Sequence, residues 1–351
     1  MNTLAPPLNL RLDEPLAPRT TLGVGGRAAA FVEARTVNEL RSALRFAADG
    51  SQRIVFLGGG SNVIVPDAGF DGLVIQPRIG GLQFSADGRV RVGAGVPWDA
   101  FVDAAVEHRL QGLECLTGIP GLAGAAPIQN IGAYGQELAD TLVEVEVLDL
   151  ETMAIRRLPA VDCAFAYRTS RFKTTPGAFV VLGFELQLRK DAPPCRAYAE
   201  VAAATTSDAN LSEVVAAVRA LRRSKAMLLD EEVKAGPDGQ SAGSFFVNPI
   251  VSETTASGLP ASVPRYGQPD GQVKLSAASL IERAGFPKGT TRGSVGSSTR
   301  HALALVNRGG ATASEVLAYA AEIQSAVRLV FGVELTREPV LLGQTGPEPT
   351  P

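Results

Sequence analysis

Residues Arg53-Ile54-Val55-Phe56-Leu57-Gly58-Gly59-Gly60-Ser61-Asn62-Val63-Ile64-Val65 read as a short buried strand, a glycine loop and a second short strand. A glycine run after a strand lets backbone amides approach an anion without Cβ obstruction, and several inward N–H groups form an anion nest. A tight turn explains the same residues. The chain leaves the loop as strand rather than helix. Neither G-x-G-x-x-G nor G-x-x-x-x-G-K-[ST] occurs there, so a Rossmann or P-loop reading lacks its own support.

Outward from the loop, Thr36-x-x-Glu39 precedes Leu40, Ala43, Leu44 and Ala47, a capping box leading an amphipathic helix to Asp49. Leu73–Gln76 and Val90–Val92 read as strands, and Pro97–Arg109 as a helix with proline in its first turn. Val143–Leu150 alternates at period two, and Phe179–Leu188 is a longer strand candidate. The fold class is therefore α+β. Arg189–Arg196, centred on Pro193-Pro194, is the clearest linker. Beyond it, Ser212–Lys225 is predicted helical, with Ser212 as N-cap and Val214, Val215, Val218 and Leu221 on one face. Ala311–Phe331 is a stronger helix, capped by Thr312-x-x-Glu315, with Val316, Ala320, Ile323, Val327 and Val330 in register.

The chain has 351 residues, ample for more than one core, and its 33 Lys plus Arg against 36 Asp plus Glu give a net charge of −3. Without long blocks of like charge, a nucleic-acid or membrane-surface binder is disfavoured. No apolar run approaches the ~18 residues of a spanning helix. No secretory signal is readable, and a cytoplasmic location is expected. Cys115, Cys163 and Cys195 are odd in number, far apart and without a C-x-x-C pair, and are taken as packing residues. Only His108 and His301 are present, so a metal site or a Ser-His-Asp triad is not expected. The chemistry is left to an organic cofactor or to carboxylates.

A second glycine-rich stretch, Gly118-Ile119-Pro120-Gly121-Leu122-Ala123-Gly124-Ala125-Ala126-Pro127-Ile128-Gln129-Asn130-Ile131-Gly132-Ala133-Tyr134-Gly135, contains no charged side chain. It is either a segment lying along a flat apolar or diphosphate-bearing ligand or a buried loop whose polar backbone is paired internally.

Together with Tyr167-Arg168-Thr169-Ser170-Arg171-Phe172-Lys173, Ala242-Gly243-Ser244-Phe245-Phe246-Val247-Asn248-Pro249 and Glu338, these two loops make five blocks in order. In them the chain, from about Thr20 to Gly343, resembles the flavin-dependent UDP-N-acetylenolpyruvoylglucosamine reductases of peptidoglycan precursor synthesis. The resemblance implies an FAD-binding domain of the vanillyl-alcohol-oxidase (PCMH) type over residues 18–190 and a linker and substrate-covering loop over 191–211. A smaller α+β substrate-binding domain over 212–332 follows, then a returning strand packed on the FAD domain over 333–343 and a disordered tail over 344–351. It implies NADPH as co-substrate and a nucleotide-sugar substrate, with no obligate protein partner. FAD is expected to be non-covalent, because the first loop has no histidine or cysteine.

Site residues follow from the same likeness. Gly58, Gly59, Gly60, Ser61 and Asn62 would cradle the FAD diphosphate. Gly118, Ile119, Pro120, Gly121, Gly124, Ala125, Gln129, Asn130, Gly132, Ala133 and Tyr134 would line the isoalloxazine and ribityl chain. Hydride would pass from flavin N5 to C3 of the enolpyruvyl group. Arg168 would neutralise the developing enolate, Ser244 would protonate C2, and Glu338, protonated or sharing a proton, would stabilise the enolic carboxylate. Tyr198, Lys225 and Asn248 would contact the substrate. By residue type alone, Arg168 is a strand-end surface arginine, Ser244 a turn residue and Glu338 a solvated acid, with Glu334 a competitor. Ala125-Ala126 stand where relatives often carry hydroxyls, so a ring hydrogen bond there falls to backbone N–H. Ala226-Met227 replace a frequent proline. A related FAD oxidase or a non-catalytic nucleotide-sugar binder are the competing readings.

Overall fold

Strands Arg27–Ala34, Phe70–Pro77 and Ile54–Phe56 pair in parallel, with Arg11–Pro15 on the outer edge, in the computed structural model, which describes residues 9–344. The tail expected to be disordered lies, from residue 345, outside the described residues. Helix Val37–Asp49 forms where its capping box requires: Thr36 accepts the Glu39 amide at 3.1 Å. Its apolar face (Leu40, Ala43, Leu44, Ala47) is buried with Ala30, Val32, Leu73 and Ile75.

A second sheet, antiparallel, runs Ile155–Pro159, Leu142–Asp149, Phe179–Gln187, Arg89–Gly93, Leu82–Phe84. Leu148, Val180 and Leu182 on this sheet join the core under the first helix. Val145, Val147 and Val181, of the opposite parity, and Phe184, beyond a register shift in the pairing with Leu142–Asp149, pack with helix Trp98–Glu107. Trp98 and Phe101 meet edge-to-face at 5.6 Å, and the indole N–H donates to the Leu116 carbonyl at 2.9 Å. Pro97 is the residue capping this helix rather than its first turn.

Contacts divide the chain into two units, 1–14, 28–59 and 70–228 against 15–27, 60–69 and 229–351. The expected domain bounds at 191 and 212 do not coincide with this division. Helices Ala199–Ala204 and Leu211–Ser224 belong to the first unit, because Val201, Val214 and Val218 bury themselves with Cys115. The second of these helices starts earlier than expected. Asn210, not Ser212, is its N-cap, closing a capping box with Glu213 at 3.1 and 2.7 Å.

In the second unit, strands Ser241–Ser244, Ala304–Asn307, Val295–Ser297 and Thr291–Arg292 form an antiparallel sheet covered by helix Ala313–Phe331. Val316, Tyr319, Ala320, Ile323 and Val327 fill its core, and the Tyr319 hydroxyl is bonded to Ser297 at 3.0 Å. The Asp67 carboxylate accepts the Ala313 and Ser314 amides at 2.6 and 2.9 Å, a negative charge at the positive end of a 19-residue helix. Strand Val340–Leu341 pairs in parallel with Val63–Ile64. The returning strand therefore joins 60–69, a segment that clusters with the second unit.

Candidate active site

The first glycine loop starts where strand Ile54–Phe56 ends. Buried Gln76 donates to the Gly58 carbonyl at 2.6 Å, and the amides of Gly58, Gly59 and Gly60 find no acceptor among the described residues. Gly59 lies against the second glycine segment so closely that a Cβ there would sit 2.5 Å from the Gly121 Cα. Asn62 departs from a purely cofactor-facing role. Its carboxamide donates to the Glu338 carbonyl at 3.2 Å.

The uncharged segment is strapped to residues 94–98: Ala123 and Gly124 donate to Val96 and Ala94, and Trp98 donates to Gly121, at 2.8, 2.9 and 3.0 Å. At its start, the Gly118 amide donates to Asp99 at 2.6 Å and its carbonyl accepts Arg222 Nε at 3.0 Å. The amides of Ala125 and Ala126 are engaged inside a 3-10 turn with Leu122 and Ala123, so the ring contact expected from them is not on offer. Asn130 is fully buried and left-handed (φ +43°). Its side chain joins Ala166 and Ala139 at 3.2 and 3.1 Å, so it braces the segment. Gln129 differs: its Oε1 is buried without a hydrogen-bond partner. An orphaned acceptor, unengaged loop amides and two glycine segments in contact fit a group bringing its own donors and an anionic diphosphate.

Arg168 is the second central residue of a tight turn closed by Ala166 and Thr169 at 3.1 Å in both directions, with φ +55°. A non-glycine residue in this region is strained, and two contacts hold it. Arg168 Nη2 donates to the Gly132 carbonyl at 2.6 Å, and Lys173 Nζ donates to the Arg168 carbonyl at 2.9 Å. The adjoining Ser170 caps helix Arg171–Thr174 and donates to the Ile128 carbonyl at 2.8 Å, tying this block to the glycine segment.

Tyr134 (φ +48°) meets Tyr198 edge-to-face at 5.4 Å, with the Lys225 ammonium 5.4 Å from its ring. Burial pushes the Tyr134 hydroxyl up to about 12, keeping it a neutral donor. Lys225 is paired with Glu200 at 2.6 Å. One helical turn earlier, Arg222 donates to the carbonyls of Gly118 and Met227, and burial pulls its pKa below the usual arginine value. The chain ends this helix with Ala226 at φ +55° and Met227 N donating to Arg222 at 2.8 Å; proline can adopt neither role. Asp99 and Arg222 were not singled out from sequence, although Arg222 sits at i−3 from Lys225 on the same helix.

In the second unit, Ser244 ends strand Ser241–Ser244 opposite Ala304, after a register shift and Gly243 at φ +71°. Its hydroxyl makes no hydrogen bond among the described residues. Phe245 accepts the Glu338 amide at 2.9 Å, so Ser244 and Glu338 lie on adjacent chain segments. Glu334, the competitor, is exposed and faces Arg328 at 3.7 Å. The Asn248 oxygen accepts the Ala277 amide at 2.9 Å at the start of helix Ala277–Arg283, which fixes the carboxamide and leaves its amide nitrogen for a ligand. Among the described residues no group of three His, Cys, Asp or Glu is placed to hold a metal, and no helix is long and apolar enough to cross a membrane.

Comparison with known proteins gives one direction. Residues 28–157 match the family described as FAD binding domain, and residues 233–342 match the family described as UDP-N-acetylenolpyruvoylglucosamine reductase, C-terminal domain. The UDP-N-acetylenolpyruvoylglucosamine reductase of Thermobifida fusca is 47% identical, covering 94% of this chain and 97% of that protein. The protein of the same name from Mycobacterium marinum is 43% identical over 94% of each. A crystal structure of the reductase from Thermus caldophilus superimposes with a TM-score of 0.65 at 27% identity, covering 95% of this chain and 99% of that one. With residues 28–157 and 233–342 matching these two families and relatives at 43–47% identity covering 94% of the chain, the chain belongs to the UDP-N-acetylenolpyruvoylglucosamine reductase family.

Proposed function

We propose that, in the reduction of UDP-N-acetylenolpyruvoylglucosamine to UDP-N-acetylmuramate, Arg168, Ser244 and Glu338 act on the enolpyruvyl group. Held by the two glycine segments, FAD would supply the hydride chemistry between NADPH and C3 of that group. Gly58, Gly59 and Gly60 offer their amides to its diphosphate, and Gln129 offers its unpartnered acceptor. Arg168 is permanently charged and planar, and its strained turn is clamped by Lys173, which suits holding a carboxylate while charge builds at C2. Ser244 delivers its proton to C2; a serine is a weak acid, and only a strongly basic enolate with fixed geometry takes that proton. Glu338 stands beside the enolic carboxylate as a neutral acid, because two bare carboxylates would repel.

Lys225 faces the substrate's diphosphate, Tyr198 covers the nucleotide and Asn248 offers its amide nitrogen. The reading places the enzyme in the cytoplasm, working on a small-molecule substrate without an obligate protein partner. The observation that carries the assignment is the unbonded Ser244 hydroxyl on the segment joined, through Phe245, to Glu338. Anaerobic protein reduced with one equivalent of NADPH is expected to regain its visible flavin band when the enolpyruvyl nucleotide-sugar is added. A band that stays bleached would point to a different flavoenzyme.

A further inference from the structure

We propose that Cys115 and Cys195, eighty residues apart in sequence, form an oxidisable thiol pair that takes a hydroperoxide as its co-substrate. Two contacts pin Cys195 beside Cys115. The Cys195 amide donates to Glu114 Oε1 at 2.6 Å, and the Cys115 thiol donates to the Cys195 carbonyl at 3.4 Å. Both side chains pack in the apolar cluster of Val201, Ala209, Val214 and Val218. Glu114 is itself buried and accepts Gly112 and Gln111 as well, so the anchor under Cys195 is rigid.

The pair is asymmetric. Cys115 is fully buried, and burial, with Cys195 and Glu114 nearby, pushes its thiol well above the usual cysteine range. Cys195 is partly exposed. An oxidant therefore meets Cys195 first. With hydrogen peroxide, Cys195 gives up its proton, its thiolate attacks one peroxide oxygen, the O–O bond breaks, and the departing hydroxide takes that proton as water, leaving Cys195 as a sulfenic acid. The Cys115 sulfur then attacks the Cys195 sulfur; the S–O bond breaks, and the departing hydroxide takes the Cys115 proton as a second water. One peroxide is reduced to two waters and two thiols are oxidised to one disulfide. Cys163, buried with its thiol directed at the Leu158 and Pro159 carbonyls, stays out of this chemistry.

The bond would tie the segment leading into Tyr198 to the turn leading into Gly118. Slower turnover follows from that tether only on the role proposed for Tyr198; the linkage does not depend on it.

The test treats FAD-loaded protein with a few equivalents of hydrogen peroxide, alkylates free thiols and maps non-reduced peptides by mass spectrometry. The expected result is a mass loss of about 2 Da per chain, a Cys115–Cys195 linked peptide and full reversal by dithiothreitol. Cys195→Ser is expected to abolish the linkage and keep untreated activity, with Cys115→Ala as a second variant. Oxygen added to Cys195 while Cys115 remains alkylatable, or a disulfide between two chains, overturns the pairing. Peroxide is further expected to slow flavin reoxidation by the enolpyruvyl nucleotide-sugar several-fold in the parent and not in Cys195→Ser. Linked protein reoxidising at the parent rate overturns the tether's effect on Tyr198 and leaves the thiol pair standing.

Discussion

The Glu338 amide donates to the carbonyl of Phe245 at 2.9 Å, so the acid is set by main chain against the residue that follows Ser244. Ser244→Ala should therefore leave this scaffold intact. Flavin reduction by NADPH is expected to stay near the parent rate, while reoxidation by substrate falls on the order of 10²-fold or more, the usual weight of a lost proton donor. Stopped-flow measurement of the two half-reactions decides it; equal loss in both would refute the assignment.

A neutral Glu338 should be mimicked by glutamine. Glu338→Gln is expected to retain clearly more kcat than Glu338→Ala, both variants keeping the main-chain bonds to Phe245 and Asn62. Isotope-edited infrared spectra showing the carboxyl ionised throughout turnover would contradict this role.

On the role proposed for it, Lys225 has to leave Glu200 to reach a substrate phosphate. Glu200→Gln removes the competitor, and since the acid is 45% exposed the pair is worth roughly 0.2–1 kcal/mol. Steady-state KM for the nucleotide-sugar is expected to drop by at most about fivefold with kcat unchanged.

Gly59→Ala puts a methyl group 2.5 Å from the Gly121 Cα, and backbone on that side has no room to yield. The variant is expected to purify with a lower ratio of flavin to protein absorbance and to need higher FAD for half-saturation.

Acid stability turns on Glu185. Burial raises its pKa, yet Arg91 and Arg89 outweigh this and hold it below the model-peptide value. A folded pKa below the unfolded one stabilises above the unfolded value and is lost as pH falls from about 4.5 through the folded value. Glu185→Gln should lower Tm at pH 7 and flatten the acid limb of the Tm profile; an unchanged limb would remove this account.

Legibility followed the range of each interaction. The boxes Thr36/Glu39 and Thr312/Glu315 are written within four residues and appear where expected. Ser212 was the wrong cap because Asn210 offers the same chemistry two residues earlier, and only the reciprocal bond to Glu213 separates them. The glycine loops stood out by composition, but composition does not say which donors are already engaged. Asn62, Asn130 and Asn248 all prove to be tied to the scaffold by at least one side-chain atom. Gln76, Asp99, Arg222 and the meeting of Cys115 with Cys195 depend on contacts across 18 to 104 residues, which no local pattern encodes.

Strand Val63–Ile64 has as its partner Val340–Leu341, near the other end of the chain. On the ribosome, at roughly 5–20 residues per second, the early strand waits for tens of seconds before its mate is synthesised. Asp67 likewise precedes the helix it caps by 246 residues. The Val63–Ile64 strand must then stay without its sheet partner through most of translation, although Gly60 and Pro66 already accept the early Thr21 and Gly26 amides, so truncated products, or a ribosome stalled late in the message, would present it as a sticky edge to chaperones and proteases.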